Sequence, residues 1–208
     1  MITTEQRRAH YDTFATTDVP LLCASPGFRA DLRSGRGREV TQCPRMHRHL
    51  ARLVAGYGAC RAHYTVASLI ALRRPAPRPA PAAPTGPLAQ DRDTDPGPSA
   101  DSAIAWTERP WRSRPNLGAS LADAVRRRGM RPGPTEDRLH LLTRLSEDLL
   151  HPRLPRLIDH LLDSGAGVDW PVLLEDLAWW EWDREAVTLR WLDSYYLALP
   201  LPAHAQER

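Results

Sequence analysis

The sequence contains no lysine, and all 28 of its basic residues are arginine. Cysteine is also scarce: Cys23, Cys43 and Cys60 leave an odd number and form no Cys-X-X-Cys pair. Such a set argues against a disulfide framework and favours a reducing compartment. No apolar run reaches the roughly 18 residues of a transmembrane helix, and the first residues lack the apolar stretch of a secretory signal. We therefore expect a soluble, cytoplasmic protein with no membrane partner.

Motifs of the common catalytic sites are absent as well. There is no glycine-rich phosphate loop, no Gly-X-Ser-X-Gly nucleophile turn and no His-Glu-X-X-His zinc motif. Asp169 and the adjacent pair Glu175 and Asp176 supply carboxylates, but helix capping and a solvated helix face explain them. We predict a protein that is not an enzyme and that has no catalytic residue and no cofactor.

Cys43, His47, His49 and Cys60 are the strongest candidates for metal ligands. Cys43 and His47 are four residues apart and could share a helix face, whereas His49 would point elsewhere. On one continuous helix, Cys60 would lie about 16 Å from His49. The sequence therefore predicts no metal site.

The arginines suggest binding to phosphate, because the planar guanidinium group can donate two hydrogen bonds to one phosphate. A GC-rich coding bias toward Arg, Ala and Pro is an alternative explanation, and the 20 prolines fit it. Charge is unevenly distributed: residues 1–74 hold 12 arginines and 5 acids, whereas the last 52 residues hold 3 arginines and 10 acids. This asymmetry indicates a basic face for a polyanion and an acidic face elsewhere.

Proline marks the clearest boundary in the chain, since ten of the 20 prolines fall between Pro75 and Pro115. Such a segment has too few apolar residues to offset the entropy of ordering, so we predict a disordered linker. Trp106 and Trp111 near its end are candidates for docking onto the fold. The predicted divisions are an N-terminal helical domain (1–72), a Pro-rich linker (73–117), a C-terminal helical bundle (118–200) and a tail (201–208).

No window alternates apolar and polar residues with the period of a strand, so we predict an all-α fold of two small helical bundles joined by the linker. Capping residues and helical periodicity place the helix boundaries. In the N-terminal part, the predicted helices run from Thr3 or Thr4 to Thr16, from the turn at Ser25–Gly27 through Phe28 and Arg33, and from Pro44 to Leu72 with weak points at Gly56 and Gly58. After the linker, they run from Asn116 or Ser120 to Gly129, from a Thr135 cap to a break at Pro152 and Pro155, and from there to Gly165. Two more helices begin at Asp169 and at Asp183.

Several arginines share predicted helix faces. Arg45, Arg48 and Arg52 occupy positions 0, 3 and 7 of one helix, and Arg29 and Arg33 are four residues apart. A solvated surface is the alternative interpretation. Trp180 and Trp191 lie on apolar stripes and are predicted core residues, whereas Trp179 and Trp182 could be exposed.

Three segments carry a resemblance to a known family: SLADAV at 120–125, RLHLLTR at 138–144 and VDWPVLLEDLAWW at 168–180. Together with CPRMHRHLARLV at 43–54, they resemble the CasB family, which supplies the small subunit of the type I-E CRISPR Cascade complex. The resemblance covers residues 118–196 well and 28–65 loosely, and the linker has no counterpart. None of these motifs is catalytic.

The resemblance implies two small helical bundles within an RNA-guided surveillance complex. It implies as partners the backbone and large subunits of Cascade, a second copy of the chain, and the R-loop formed by guide RNA and target DNA. The basic surface would guide the displaced non-target DNA strand. Because R-loop formation is a nearly balanced exchange of strands, modest contacts to phosphate can stabilise it.

Four arginines carry over from the family by position. Arg45 follows a proline as the family's basic residue does, Arg138 and Arg144 match two arginines six residues apart, and Arg156 lies near a further basic position. The sequence departs at Glu147, where the family has a basic residue.

These observations predict a non-catalytic subunit that binds nucleic-acid backbone and stabilises the R-loop. The alternative is a helical adaptor that binds only protein. The predicted nucleic-acid-binding residues are Arg29, Arg33, Arg45, Arg48, Arg52, Arg138, Arg144 and Arg156.

Overall fold

The computed structural model describes residues 2–73 and 106–200. Within these ranges all regular structure is helical and no strand occurs, which confirms the predicted all-α fold. The linker residues 74–105 and the tail 201–208 lie outside the described residues. No helix in the described ranges is both long and apolar enough to cross a membrane. The helices are α1 (Thr4–Thr13), α2 (Val19–Cys23), α3 (Pro26–Arg33), α4 (Pro44–Val54), α5 (Cys60–Ile70), α6 (Leu117–Arg127), α7 (Pro132–Thr143), α8 (Glu147–Asp163) and α9 (Trp170–Ala198).

Side-chain caps fix three of the helix starts where the sequence predicted them. The hydroxyl of Thr3 accepts a hydrogen bond from the Gln6 amide, and the Gln6 side chain accepts one from the Thr3 amide, forming a capping box. Asn116 caps α6 through the Ala119 amide, and Asp169 caps α9 through the Val172 amide. Caps of this kind satisfy amide groups that have no partner inside the helix, so the sequence sets these boundaries locally.

The predicted helix from Pro44 to Leu72 is wrong as a single element. It is two helices, α4 and α5, separated by a turn in which Gly56 and Gly58 have φ values of +85° and +66°. Glycine takes this left-handed conformation without a steric penalty, so the two glycines end the helix rather than bend it. The metal candidates His49 and Cys60 consequently lie on different helices.

Two further helix boundaries differ from the predictions. Helix α7 begins at Pro132, and Thr135 is buried inside it with its hydroxyl donating to the Arg131 carbonyl. Helix α8 runs without a break through Pro152 and Pro155. Proline removes the hydrogen bond to the carbonyl four residues earlier. For Pro152 that carbonyl belongs to Asp148, and the Arg61 guanidinium donates to it at 3.4 Å instead.

Helix α9 forms the centre of the packing and contacts α1, α5, α6 and α7. Trp180 and Trp191 are fully buried on it with their ring centroids 5.0 Å apart, which confirms that they are core residues. The helix kinks at Asp183, the residue predicted to start a new helix, and Asp183 caps the second segment through the Ala186 amide. One hydrophobic cluster includes buried side chains from both halves of the chain. The boundaries proposed at residues 72 and 118 remain a prediction.

Candidate nucleic-acid interface

Many of the arginines bind acidic side chains of the protein itself. Arg8 pairs with Glu175 at 2.8 Å, and Arg114 is buried between Asp12 and Asp169. Arginines held in this way stabilise the fold and have little capacity left for an external phosphate. Other arginines with acidic partners are Arg36 with Asp159, Arg61 with Glu39 and Asp148, Arg127 with Asp123, and Arg190 with Asp176.

Two of the eight predicted binding residues have such internal roles. The Arg29 Nε donates to the Ala71 carbonyl at the end of α5, at 2.9 Å. Arg48 forms an ion pair with Asp31, which also bonds His49 Nε2 at 3.0 Å. These contacts lower the pKa of the Asp31 carboxyl below its ordinary value, first through the His49 hydrogen bond and then through Arg48. The prediction that Arg45, Arg48 and Arg52 share a helix face is correct, but the ion pair with Asp31 partly neutralises the charge of Arg48.

The other six predicted residues are exposed and have no ion pair to an acid within residues 2–73 and 106–200. On the N-terminal half these are Arg33 at the end of α3, and Arg45 and Arg52 on α4. On the C-terminal half they are Arg138 on α7, Arg144 at its C-cap and Arg156 on α8.

Arg138 and Arg156 are brought together in a groove between α7 and α8. The groove also includes Arg153 and an apolar floor formed by Leu141, Leu142, Pro152 and Leu157. Arg138 lines the groove although helical spacing puts it within the leucine stripe of α7. The residue is exposed, and leucines line the groove beside it. This is the behaviour of a long side chain that covers apolar surface with its stem.

A second groove continues from the first because Arg138 lines both. Its other basic side chains are Arg128, Arg131 and His160, opposite the single carboxylate of Asp163. Arg131, which follows the run Arg126–Arg128 in the sequence, and Arg153 are not among the eight predicted binding residues. Their place in the grooves depends on the angle between α7 and α8, which no local pattern encodes.

The carboxylates that could have served acid–base chemistry are used within the fold. Asp169 bonds Arg114, Glu175 bonds Arg8 and Trp111, and Asp176 bonds Arg190 and Trp191. Glu175 and Asp176 are buried, so the expected solvated helix face is wrong for them. Burial raises the pKa of Asp176 to about 7.

Three of the four candidate metal ligands have other partners, and the fourth, Cys60, is exposed. The Cys43 thiol contacts the Glu39 carbonyl, His47 bonds the Tyr64 hydroxyl at 2.6 Å, and His49 bonds Asp31. Within the described part of the chain no three His, Cys, Asp or Glu side chains are grouped as metal ligands would be.

The sequence model of CRISPR-associated protein Cse2 matches residues 28–196. The chain belongs to the Cse2 family. This confirms the family resemblance identified from the sequence motifs. The comparison with curated proteins gave no match.

The resemblance of this Cse2 protein to solved structures extends over nearly its whole length. A chain of a "CRISPR RNA-guided surveillance complex" is 31% identical, with 93% of this chain and 95% of that chain covered and a TM-score of 0.69. A chain of a "CRISPR RNA-guided surveillance complex, pre-nicking" is 30% identical, with 92% and 94% covered and a TM-score of 0.69. The "Crystal structure of M. ruber CasB" shares the fold, with 21% identity, 95% of each chain covered and a TM-score of 0.59.

Proposed function

We propose that this Cse2 protein is a non-catalytic small subunit of a CRISPR RNA-guided surveillance complex that binds nucleic-acid backbone. The observation that carries the proposal is the α7–α8 groove, in which Arg138, Arg153 and Arg156 are exposed together without acidic partners in the described residues. Its partners would be the backbone and large subunits of the complex, a second copy of the chain, and the R-loop.

The groove has the features needed for binding to phosphate without sequence preference. Guanidinium groups at its edges can each donate two hydrogen bonds to phosphate oxygens, and the leucine floor offers no donors or acceptors to distinguish bases. Such contacts release counterions from the nucleic acid and weaken as salt rises. On a displaced DNA strand they would slow re-annealing and so extend the lifetime of the R-loop.

The proposal is tested by reversing charge in the groove within the assembled complex. We expect Arg138→Glu with Arg156→Glu to shorten the R-loop lifetime about tenfold or more. At about 0.7 kcal/mol for each exposed arginine–phosphate contact, losing both contacts corresponds to one factor of ten, and the two new carboxylates repel the strand in addition. The matched control is Arg109→Glu with Arg112→Glu, two exposed arginines outside the grooves. An R-loop lifetime equal to that of the wild type in the groove variant, with the complex intact, would refute the proposal.

A protein-only adaptor is the second candidate, and the exposed Trp182 favours it. Trp182 is 79% exposed and lies in a groove with Glu147, Glu181 and Glu185, a surface that repels phosphate. Under this alternative, Trp182→Ala would release the chain from the complex, whereas the Arg138 and Arg156 variants would leave both assembly and R-loop lifetime unchanged.

A further inference from the structure

The segment between α3 and α4 contains a short loop rich in arginine and glycine. We call residues 34–39, which include Arg36, Gly37, Arg38 and Glu39, the arginine loop. The periodicity of the sequence does not point to it, because it lies on no helix face. In the structure it packs against α8, which carries half of the α7–α8 groove.

Three contacts fasten the arginine loop to α8. Arg36 forms an ion pair with Asp159. Gly37, with φ +68°, lies so close to Pro152 that a Cβ atom there would be 3.2 Å from the Pro152 Cα. At the end of the loop, Arg61 binds both Glu39 and Asp148.

These three anchor points on α8 lie on one face of the helix. Asp148, Pro152 and Asp159 are separated by four and seven residues, the spacing of a single helical stripe. The loop therefore runs along this stripe. Arg156, four residues after Pro152, lies beside the same stripe and also lines the α7–α8 groove. The arginine loop thus adjoins the groove at Pro152, the groove-lining residue against which Gly37 packs.

The two loop arginines have different surroundings. The guanidinium of Arg36 is engaged by Asp159. Arg38 is exposed and has no ion pair to an acid in the described part of the chain. The Arg38 side chain is therefore available to an external anion. Arg38 lies between two anchored residues, Gly37 and Glu39.

We propose that the arginine loop is a second phosphate-binding element of this protein. Arg38 contacts the backbone of the strand that lies in the α7–α8 groove, and the Arg36–Asp159 ion pair positions it there. The inference rests on the proposed function and adds a contact outside the helices.

The direct test is binding of the full chain to a fluorescently labelled single-stranded DNA oligonucleotide at several salt concentrations. Each phosphate contact contributes about 0.7 to the slope of log affinity against log salt for a single strand. We expect Arg38→Gln to lower that slope by about 0.7 and to weaken binding about threefold. Arg112→Gln is the matched control, because Arg112 is exposed on a turn whose Trp111 packs against α1 and α9. It should change neither quantity.

The groove variants Arg138→Gln and Arg156→Gln separate this inference from the proposed function. If the two groove variants weaken DNA binding while Arg38→Gln binds as the wild type does, the binding role of the arginine loop is refuted and the proposed function stands. If Arg38→Gln weakens DNA binding and the two groove variants do not, the binding role of the loop is supported and the assignment of the groove as a binding site fails. If none of the three alters binding, both proposals fall.

The positioning role of the ion pair has its own test in Asp159→Asn. Removing a carboxylate from a basic surface strengthens DNA binding if only net charge matters. If the ion pair positions the loop, Arg38→Gln should lose most of its effect in the Asp159→Asn background. An undiminished effect of Arg38→Gln in that background would contradict the positioning role while leaving the contact itself supported.

Discussion

Arg114 and Asp169 form a buried two-bond ion pair, with Nε to Oδ2 and Nη2 to Oδ1 both at 2.8 Å. The remaining Nη1 donates to Asp12 at 2.7 Å, and Asp169 simultaneously caps helix α9. Arg114 belongs to the segment 73–117 predicted as a disordered linker, but residues 106–117 are ordered in the structure. Its side chain joins this segment to helix α1 and to the start of helix α9. Trp111 and Trp106 dock onto the fold, as the sequence suggested: Trp111 packs against Arg114 and donates to Glu175, and the Trp106 ring lies against Gly167.

Loss of the Arg114 guanidinium is predicted to be strongly destabilising. Arg114→Ala would leave the buried Asp169 carboxylate without its cation, and breaking a buried pair in this way lowers the free energy of unfolding by about 3–5 kcal/mol. Urea unfolding followed by circular dichroism measures it. The control Arg112→Ala, at a nearby exposed position, should change the free energy of unfolding by at most about 0.5 kcal/mol. An equally small change in Arg114→Ala would show that the buried ion pair is dispensable for stability.

The second prediction concerns the close approach of α6 to α9 at Gly118. A Cβ atom on Gly118 would lie 2.7 Å from the carbonyl carbon of Trp191, and a backbone cannot move aside as a side chain can. Gly118→Ala should lower the free energy of unfolding by about 3 kcal/mol through overpacking. Gly27, also the second residue of its helix, has nothing within 4 Å of such a Cβ. Gly27→Ala should therefore stabilise the protein by about 0.5–1 kcal/mol. Melting temperatures of the two variants should move in opposite directions.

The third prediction is a loss of stability in acid that depends on His63. This residue is fully buried, its Nδ1 donates to the Ala59 carbonyl at 3.0 Å, and its Nε2 accepts from His10 at 3.1 Å. Burial lowers the pKa of His63 from 6.5 to about 4. The unfolded chain therefore binds a proton that the folded chain does not, so stability is complete above pH 6.5 and falls as the pH is lowered toward 4. The difference amounts to about 3 kcal/mol.

Urea unfolding at a series of pH values tests this behaviour. His63→Gln should be less stable than the wild type near neutral pH and should show a flatter pH dependence between 6.5 and 4. His160→Gln, which alters an exposed histidine, should keep the wild-type pH dependence. A wild-type slope retained in His63→Gln would assign the acid sensitivity to other groups.

The fourth prediction separates two arginines three residues apart on α4. Arg45 is exposed with no acidic partner in the described ranges, whereas Arg48 is paired with Asp31. Arg45→Gln should therefore weaken single-stranded DNA binding about threefold and lower its salt dependence, while Arg48→Gln changes both less. Fluorescence anisotropy titrations at two salt concentrations provide the comparison. Equal effects of the two substitutions would mean that the ion pair with Asp31 does not limit the binding of Arg48 to DNA phosphate.

The sequence predicted those features of the fold that depend on neighbouring residues. Caps at Thr3, Asn116 and Asp169 and the kink at Asp183 follow from side-chain oxygens within hydrogen-bond reach of nearby amides. It was wrong at Pro152, where the partner comes from elsewhere in the chain. Helix α8 continues through this proline, and Arg61, from another helix, donates to the Asp148 carbonyl that proline leaves without an amide partner.

The same distinction applies to the candidate site. Helical spacing correctly put Arg45 and Arg52 on one exposed face. It could not show that Arg29 binds the Ala71 carbonyl or that Arg48 binds Asp31, because those partners come from other helices. Nor could it show that Arg153 joins Arg138 and Arg156, since the groove exists only where α7 and α8 meet.

The central position of α9 has a consequence for how the chain is synthesised. This helix is translated after every other helix of the described fold, yet α1 packs against it and Arg8 finds its carboxylate partner there in Glu175. The N-terminal helices therefore leave the ribosome with an apolar face that has no partner until Trp170 to Ala198 have emerged. Folding of this chain is completed by its last helix, and a chain interrupted before Trp170 exposes the part of the core that α9 covers.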